Sequence, residues 1–352
     1  MNVNRIIRKS AVVQNSRGKG KPSKSNRKVE KRGRHHKTDA NAGCKPRTKF
    51  LRVTLITGSM SSWKKMNKEE LEKQYSPSRW SHRIDKDVVI EAHIREITKG
   101  TEKGRNVAQT WLDVAYGQGD GEKLDIYLPL NPSTAPALLI YFHGGYWQLL
   151  SKDLSGFMVP PLVNSGAIVV AVDYALAPKG DMDLIVSQVR RSVAFIVQQY
   201  SALSGVYLCG HSAGAHLGAM VLCTDWAEYG VFPDIKGALL VSGIYDLCPI
   251  VHTSVNDPLQ MTEGDALRNS PLQFVNIMKR HGGNCEIVVS VAQYDSDEFK
   301  KQSEEYYQAV KAAGLNVCFQ NVPNTDHFDI IEKLVEENYE LTQVLLKMMT
   351  GK

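Results

Sequence analysis

From residue 123 onward, short apolar runs alternate with longer stretches whose apolar residues recur every three to four positions. The runs KLDIYLPL (123–130), ALLIYFHGG (137–145), AIVVAVDY (167–174), GVYLCG (205–210), GALLVSG (237–243), CEIVVSVAQ (285–293) and NVCFQNV (316–322) are rich in β-branched and aromatic residues. Most are apolar throughout and do not alternate with polar residues. That pattern predicts strands buried on both faces. Between them, residues 184–200, 213–222, 304–314 and 329–349 follow a helical period, and Gly314 stands where a helix would be closed by a left-handed residue. Near the start of this region, NKEELEKQY (67–75) predicts a short charged helix with Asn67 as its N-cap and Glu70 as the capping-box partner. Apolar strands alternating with helices predict an α/β domain over residues 61–352, its central sheet mostly parallel and covered by helices on both faces. No internal repeat is present.

Charge divides the chain where this pattern begins. Residues 1–60 hold 17 Lys/Arg and 2 Asp/Glu, whereas the remaining residues hold 26 Lys/Arg and 35 Asp/Glu. The overall net charge of +6 therefore averages a mildly acidic body with a strongly basic extension. Residues 16–37 combine Lys and Arg with Gly, Pro and Ser, and have too little apolar surface to offset ordering entropy, so disorder is expected there. Three readings of residues 1–60 compete: an arm for nuclear entry or polyanions, an import sequence, and a neutral extension followed by Met60 and Met66 as later starts. The neutral extension is preferred, and nucleic acid is expected to bind only non-specifically, through the basic residues. The six cysteines, Cys44, Cys209, Cys223, Cys248, Cys285 and Cys318, lie at unpaired spacings. They suit a reducing compartment better than a disulfide framework. A cytoplasmic location is expected, with nuclear entry also allowed for, and no membrane span, since no apolar run has the necessary length.

The chemistry concentrates in a few loops. Gly210-His211-Ser212-Ala213-Gly214 spells G-x-S-x-G between a predicted strand and a predicted helix. Small residues at 210 and 214 permit a sharp strand-to-helix turn with Ser212 at its apex as a nucleophile. A serine hydroxyl needs a base and an orienter for that base. His327 follows the last predicted strand and Asp295 follows the one before it, giving the chain order Ser, Asp, His with all three at carboxyl ends of strands. Asp297 is the alternative to Asp295. His327 has a competing structural reading as part of an Asp-His helix cap. For the oxyanion, the backbone N–H groups of Gly144 and Gly145 after one strand, with that of Ala213 after the serine, are the candidates. His143 is assigned to holding that glycine loop. His216 is read as buried in protein. The His211/His216 pair has no carboxylate partner in sequence, so no metal site is expected. Neither a G-x-G-x-x-G after a strand nor a Walker A sequence is present, and no cofactor is expected.

These motifs bring a family into view. The segments EELEKQYSPSRW (69–80), YGQGDGEKLDIYLP (116–129), HGGYW (143–147), DYALAP (173–178), GHSAGAH (210–216), SGIYDL (242–247), RNSPL (268–272), QYDSDEF (293–299) and DHFDIIE (326–332) together resemble the arylformamidases. These kynurenine formamidases belong to the α/β-hydrolase superfamily, near the hormone-sensitive-lipase-like esterases. The likeness covers residues 60–350. HGGYW, with Trp147, and QYSPSRW are its more specific segments, because GHSAG is shared with many esterases. The resemblance implies an α/β-hydrolase fold with Ser212 as nucleophile, Asp295 as orienter and His327 as base. It also implies hydrolysis of the formyl amide of N-formyl-L-kynurenine to L-kynurenine and formate, a step in tryptophan breakdown, without metal or organic cofactor. Related esterases carry H-G-G-G, and Tyr146 replaces the third glycine here, which leaves the second oxyanion donor of this loop open. The basic extension lies outside the resemblance.

Residue chemistry alone leaves rivals. A general carboxylesterase or aryl-ester hydrolase would use the same three residues, since specificity resides in pocket shape. A non-enzymatic binding protein on this fold would be expected to lack one of them. Tyr146 and Trp147 are read either as walls of a small acyl pocket or as ordinary packing around the loop. A small-molecule substrate is the expected partner, and a homodimer is allowed for.

Overall fold

The computed structural model describes residues 62–131, 133–200, 202–281 and 284–351. The basic extension and Cys44, with the expectations attached to them, lie outside the described residues. In chain order the main elements begin with α1 (Lys68–Gln74), α2 (Val89–Val107), β1 (Gln109–Ala115), β2 (Lys123–Leu128), β3 (Ala137–Phe142) and β4 (Ile168–Val172). They continue with α3 (Met182–Gln199), β5 (Gly205–His211), α4 (Ala213–Leu222), β6 (Ile235–Val241), β7 (Glu286–Ala292), α5 (Asp297–Ala312), β8 (Val317–Val322) and α6 (Glu340–Thr350). Eight strands form one sheet in the order β1-β2-β4-β3-β5-β6-β7-β8. β2 pairs antiparallel with both β1 and β4, and every pair from β4 to β8 is parallel.

The uninterrupted apolar runs are explained by cover on both faces. Leu139, Tyr141, Val169, Ala171, Cys209, Leu239, Val241 and Val288 share one buried cluster with Ile97 of α2, with Phe157, Met158, Val159, Leu162 and Val163, and with Leu341 and Leu345 of α6. The alternate residues Leu138, Ile140, Phe142, Leu208, Ala238 and Leu240 are equally buried on the opposite face. There α4 lies so close that a Cβ on Gly218 would stand 3.1 Å from Leu240 Cδ2. Period-2 side chains therefore meet helices on either side of the sheet.

Several local expectations change. Asn67 does cap α1, its side chain accepting from Glu70 N at 2.9 Å, but Glu70 turns its carboxylate to Gln74 Nε2 at 2.8 Å. One half of the capping box is formed. α2 and β1 have no counterpart in the sequence reading. Gly100 and Gly104 break the helical signal of α2, yet they are packing residues: a Cβ on Gly100 would lie 2.5 Å from Phe157 Cβ, and one on Gly104 2.3 Å from Gly156 O. α5 begins at Asp297, seven residues before the expected start, with Ser296 as its N-cap. The expected helix 329–349 divides into a turn of α-helix (Asp329–Glu332), a 3-10 turn (Lys333–Val335) and α6. Glu336 adopts an extended conformation between them, and Tyr339 Oη folds back to donate to Ile330 O at 2.9 Å.

Candidate functional site

Ser212 occupies the junction of β5 and α4 with φ 56° and ψ −118°, a conformation outside the ordinary basins of an L-residue. Such a residue costs on the order of 1–3 kcal/mol and persists only where its surroundings enforce it. The enforcement is visible. Ser212 N donates to Val241 O of the neighbouring strand at 2.8 Å. Gly210 and Gly214 face each other so closely that a Cβ on Gly210 would stand 2.2 Å from Gly214 O. A Cβ on Gly214 would stand 1.9 Å from Phe142 O, at the end of β3. Two glycines thus let the start of α4 press against the end of β3 and the loop that follows it.

That loop is H-G-G-Y-W. Gly144 passes directly over the turn: a Cβ there would lie 2.9 Å from His211 O and 3.3 Å from Ser212 Cβ. Gly145, Tyr146 and Trp147 all have positive φ, at 91°, 51° and 60°. The two aromatic residues hold a backbone that favours glycine, and their side chains explain how. Trp147 is fully buried and donates its indole N–H to His216 Nδ1 at 3.2 Å, while its carbonyl accepts from Ala177 N at 2.9 Å. Tyr146 Oη donates to Tyr75 O at 2.9 Å, and burial together with the nearby Asp295 carboxylate holds its phenol well above the usual range. Trp147 therefore packs the loop from below. Tyr146 lies close enough to Asp295 to feel its charge. Among the described residues, the N–H groups of Gly144, Gly145 and Ala213 have no protein acceptor. Unpaired backbone donors beside a serine at a helix N-terminus suit a developing negative charge.

The histidines divide by partner. His216 Nδ1 accepts from Trp147, so its proton is on Nε2, which donates to Asn269 O at 2.7 Å. Burial lowers its pKa to about 4, so this ring is neutral at physiological pH. His143 stacks on Tyr174 at 4.3 Å between centroids. The Tyr174 hydroxyl donates to His143 O at 2.8 Å, and His143 Nδ1 lies 3.0 Å from Gly144 O. This ties the first residue of the loop to its second. His211 Nε2 donates to the backbone oxygen of His327 at 2.7 Å, and burial holds its ring well below the usual imidazole range. The residue before the serine is thereby fastened to the loop that carries the candidate base.

His327 Nδ1 lies 2.7 Å from Asp295 Oδ1, and both residues are buried. The second carboxylate oxygen, Oδ2, accepts from Ser242 Oγ at 2.6 Å and from Ala292 N at 2.9 Å. Asp297, the alternative, is exposed in the first turn of α5. Asp326 stands just before the helical turn Asp329–Glu332 and accepts from Phe328 N at 2.9 Å and Asp329 N at 3.0 Å, while the adjacent His327 turns to Asp295. No hydrogen bond joins Ser212 Oγ to His327 Nε2 in this structure. Such bonds commonly tighten only with substrate in place.

A strap from the N-terminal side of the domain, which includes QYSPSRW and runs on to Arg83, reaches all three loops. Tyr75 O receives Tyr146. His82 stacks on Tyr294, next to Asp295, at 3.9 Å. Ser81 Oγ and Arg83 Nε donate to Asp326 Oδ2, next to His327, at 2.7 and 3.0 Å. Tyr146 lies 71 residues from Tyr75, and Tyr294 and Asp326 lie more than 200 residues from the strap, so no local spacing could announce them. Among the described residues, no group of three or more His, Cys, Asp or Glu could hold a metal ion. Nor is any helix there long and apolar enough to cross a membrane.

Comparison with known proteins agrees with this architecture. A family profile described as the alpha/beta hydrolase fold matches residues 139–329. The chain is 64% identical over 290 residues to the kynurenine formamidase of Danio rerio, covering 82% of this chain and 99% of that protein. It is 62% identical over 291 residues to the kynurenine formamidase of Salmo salar, covering 82% and 99%. A solved esterase from Pyrobaculum calidifontis superposes with a TM-score of 0.60 at 19% identity, over 81% of this chain and 97% of that one, a likeness of fold. At nearly two-thirds identity along almost the whole of two such enzymes, the chain belongs to the kynurenine formamidase family of the α/β-hydrolase superfamily.

Proposed function

We propose that this chain hydrolyses the formyl amide of N-formyl-L-kynurenine to L-kynurenine and formate, as a serine hydrolase of tryptophan catabolism. The observation that carries the proposal is the 64% identity to a kynurenine formamidase over nearly that enzyme's full length. The pairing of His327 with Asp295 beside the Ser212 turn supports the assignment of roles.

Ser212 Oγ attacks the formyl carbon and its proton passes to His327 Nε2. Nδ1–H of the same ring stays directed at Asp295 Oδ1, which stabilises the positive ring without taking the proton. The formyl oxygen, negative in the tetrahedral intermediate, is received by N–H groups of Gly144, Gly145 and Ala213. Collapse expels the aryl amine, which takes the proton from Nε2, and leaves a formyl ester on Ser212. Water, deprotonated by His327, attacks that ester, and the ring returns the proton to Ser212 Oγ as formate leaves. Every proton is carried by residues of this chain. The positive-φ turn over Gly145–Trp147 keeps the donors close to the serine, which suits an acyl group as small as formyl. In this reading the substrate is a free small molecule, and the sparse cysteines fit a cytoplasmic enzyme.

The test is formate release from N-formyl-L-kynurenine by the full chain and by Ser212→Ala, alongside cleavage of a longer-chain aryl ester. Turnover of the formamide that is lost in Ser212→Ala, with the ester cleaved more slowly, is the expected result. Rapid ester cleavage through Ser212 without formate release would replace the formamidase by a general esterase. Formate release that survives in Ser212→Ala would remove the serine from the mechanism.

A further inference from the structure

We infer that Ser242 is a positioning residue for the catalytic carboxylate, extending the hydrogen-bonded pair of His327 and Asp295 to a third side chain. The inference rests on the triad proposed above. Ser242 follows β6 immediately and is fully buried. Its N–H donates to Ser290 O of β7 at 2.7 Å, so its backbone is clamped to the strand that leads to Asp295. Its Oγ gives a 2.6 Å hydrogen bond to Asp295 Oδ2, on the opposite side of the carboxylate from His327.

A carboxylate rotates about its bond to Cβ unless both oxygens are held. Here Oδ1 faces the imidazole, so whatever binds Oδ2 sets the direction of Oδ1. Two donors meet Oδ2: Ala292 N, which belongs to the same turn as Asp295, and Ser242 Oγ, which comes from another strand. Only the second ties the carboxylate to the neighbouring strand of the sheet. Hydrogen bonds to a charged acceptor are also the stronger kind. The backbone adds a separate argument. Ser242 has φ 49°, in the left-handed region, and glycine would occupy that conformation at lower cost. Gly243 follows directly, so a glycine in this turn is no foreign element. A serine held in a strained conformation, fully buried and bonded through its hydroxyl to the orienting carboxylate, is explained by that hydroxyl.

The test compares the full chain with Ser242→Ala and Ser242→Gly, the latter relieving the backbone while also removing the hydroxyl. Ser212→Ala serves as the control for the triad itself. With N-formyl-L-kynurenine, kcat is expected to fall about 10- to 100-fold in both Ser242 variants, the scale of a lost hydrogen bond to a charged group, while KM barely moves. Proton NMR supplies a readout that a merely structural role would not move. The short His327 Nδ1–H···Asp295 bond should give a far-downfield resonance, assigned by its absence in His327→Ala. That resonance should shift upfield or broaden away in the Ser242 variants, even where Ser242→Gly melts at or above the wild-type temperature. Unchanged kcat and an unchanged resonance in a folded Ser242→Gly, with Ser212→Ala inactive, would overturn the role of Ser242 and leave the triad standing. Activity retained in Ser212→Ala would overturn the triad instead.

Discussion

Tyr146 and Trp147, in the loop beside Ser212, hold positive φ and are each fixed by a side-chain hydrogen bond, and those bonds predict which substitutions will matter. Trp147 is the clearest case. Its indole is the donor for His216 Nδ1, and that ring is fully buried with its other nitrogen already committed to Asn269 O. Trp147→Phe preserves most of the packing but leaves Nδ1 without a donor in a site closed to water. Losing one partner of a buried pair costs about 1–3 kcal/mol. Urea unfolding should show a loss of that size, and kcat should fall with it because Trp147 anchors the strained turn that presents Gly144 and Gly145. An unchanged unfolding midpoint would mean that the indole bond is incidental. The sequence brings Ser212, His327 and Asp295 forward as candidates because each follows a predicted strand, and the structure sets His327 against Asp295. It conceals His211 as an ordinary interior letter of G-x-S-x-G, because the bond that gives it a task reaches across 116 residues to His327 O.

At the level of elements, strands are the most legible, since an apolar run buried on both faces leaves an unmixed pattern. α2 is hidden by Gly100 and Gly104, which suit close packing on Phe157 and Gly156 better than helix propensity. The strap is hidden for a different reason: its residues are polar, and their partners lie far along the chain. Asp326 shows what it contributes. Burial alone would raise this carboxyl, but donors from Asp329 N, Ser81 Oγ, Phe328 N and the Arg83 guanidinium outweigh it and bring its pKa down to about 2. An unfolded aspartate titrates near about 3.9. The folded value is the lower one, so the network's stabilisation is complete above about pH 4 and is lost as pH falls toward about 2. Asp326→Asn should therefore be less stable than the wild type at pH 5 and above, with the gap closing between about pH 4 and pH 2. Urea midpoints measured across that range decide it. A gap independent of pH would assign the effect to lost geometry and not to charge. Because Asp326 precedes His327, the same variant should also slow turnover at neutral pH.

Over the whole molecule, the two halves of the charge distribution carry separate expectations. Among the described residues, the contacts named at the candidate site, from Tyr75 and Arg83 in the strap to Asp326 and His327, lie between residues 67 and 332. The domain is acidic and the first sixty residues are strongly basic. Hydrolysis of a small amide requires only the groups of the site, whereas a dense run of Lys and Arg attracts polyanions by releasing their counterions, without reading a sequence. Residues 62–352 alone should then match the full chain in kcat and KM on N-formyl-L-kynurenine. The full chain, and not the shortened one, should be retained on a polyanion column at low salt and released steeply as salt rises. Loss of turnover in a folded 62–352 protein would bring the extension into the catalytic site. Equal retention of the two proteins would show that the basic residues are not available to partners, and the charge asymmetry would then need an explanation inside the molecule.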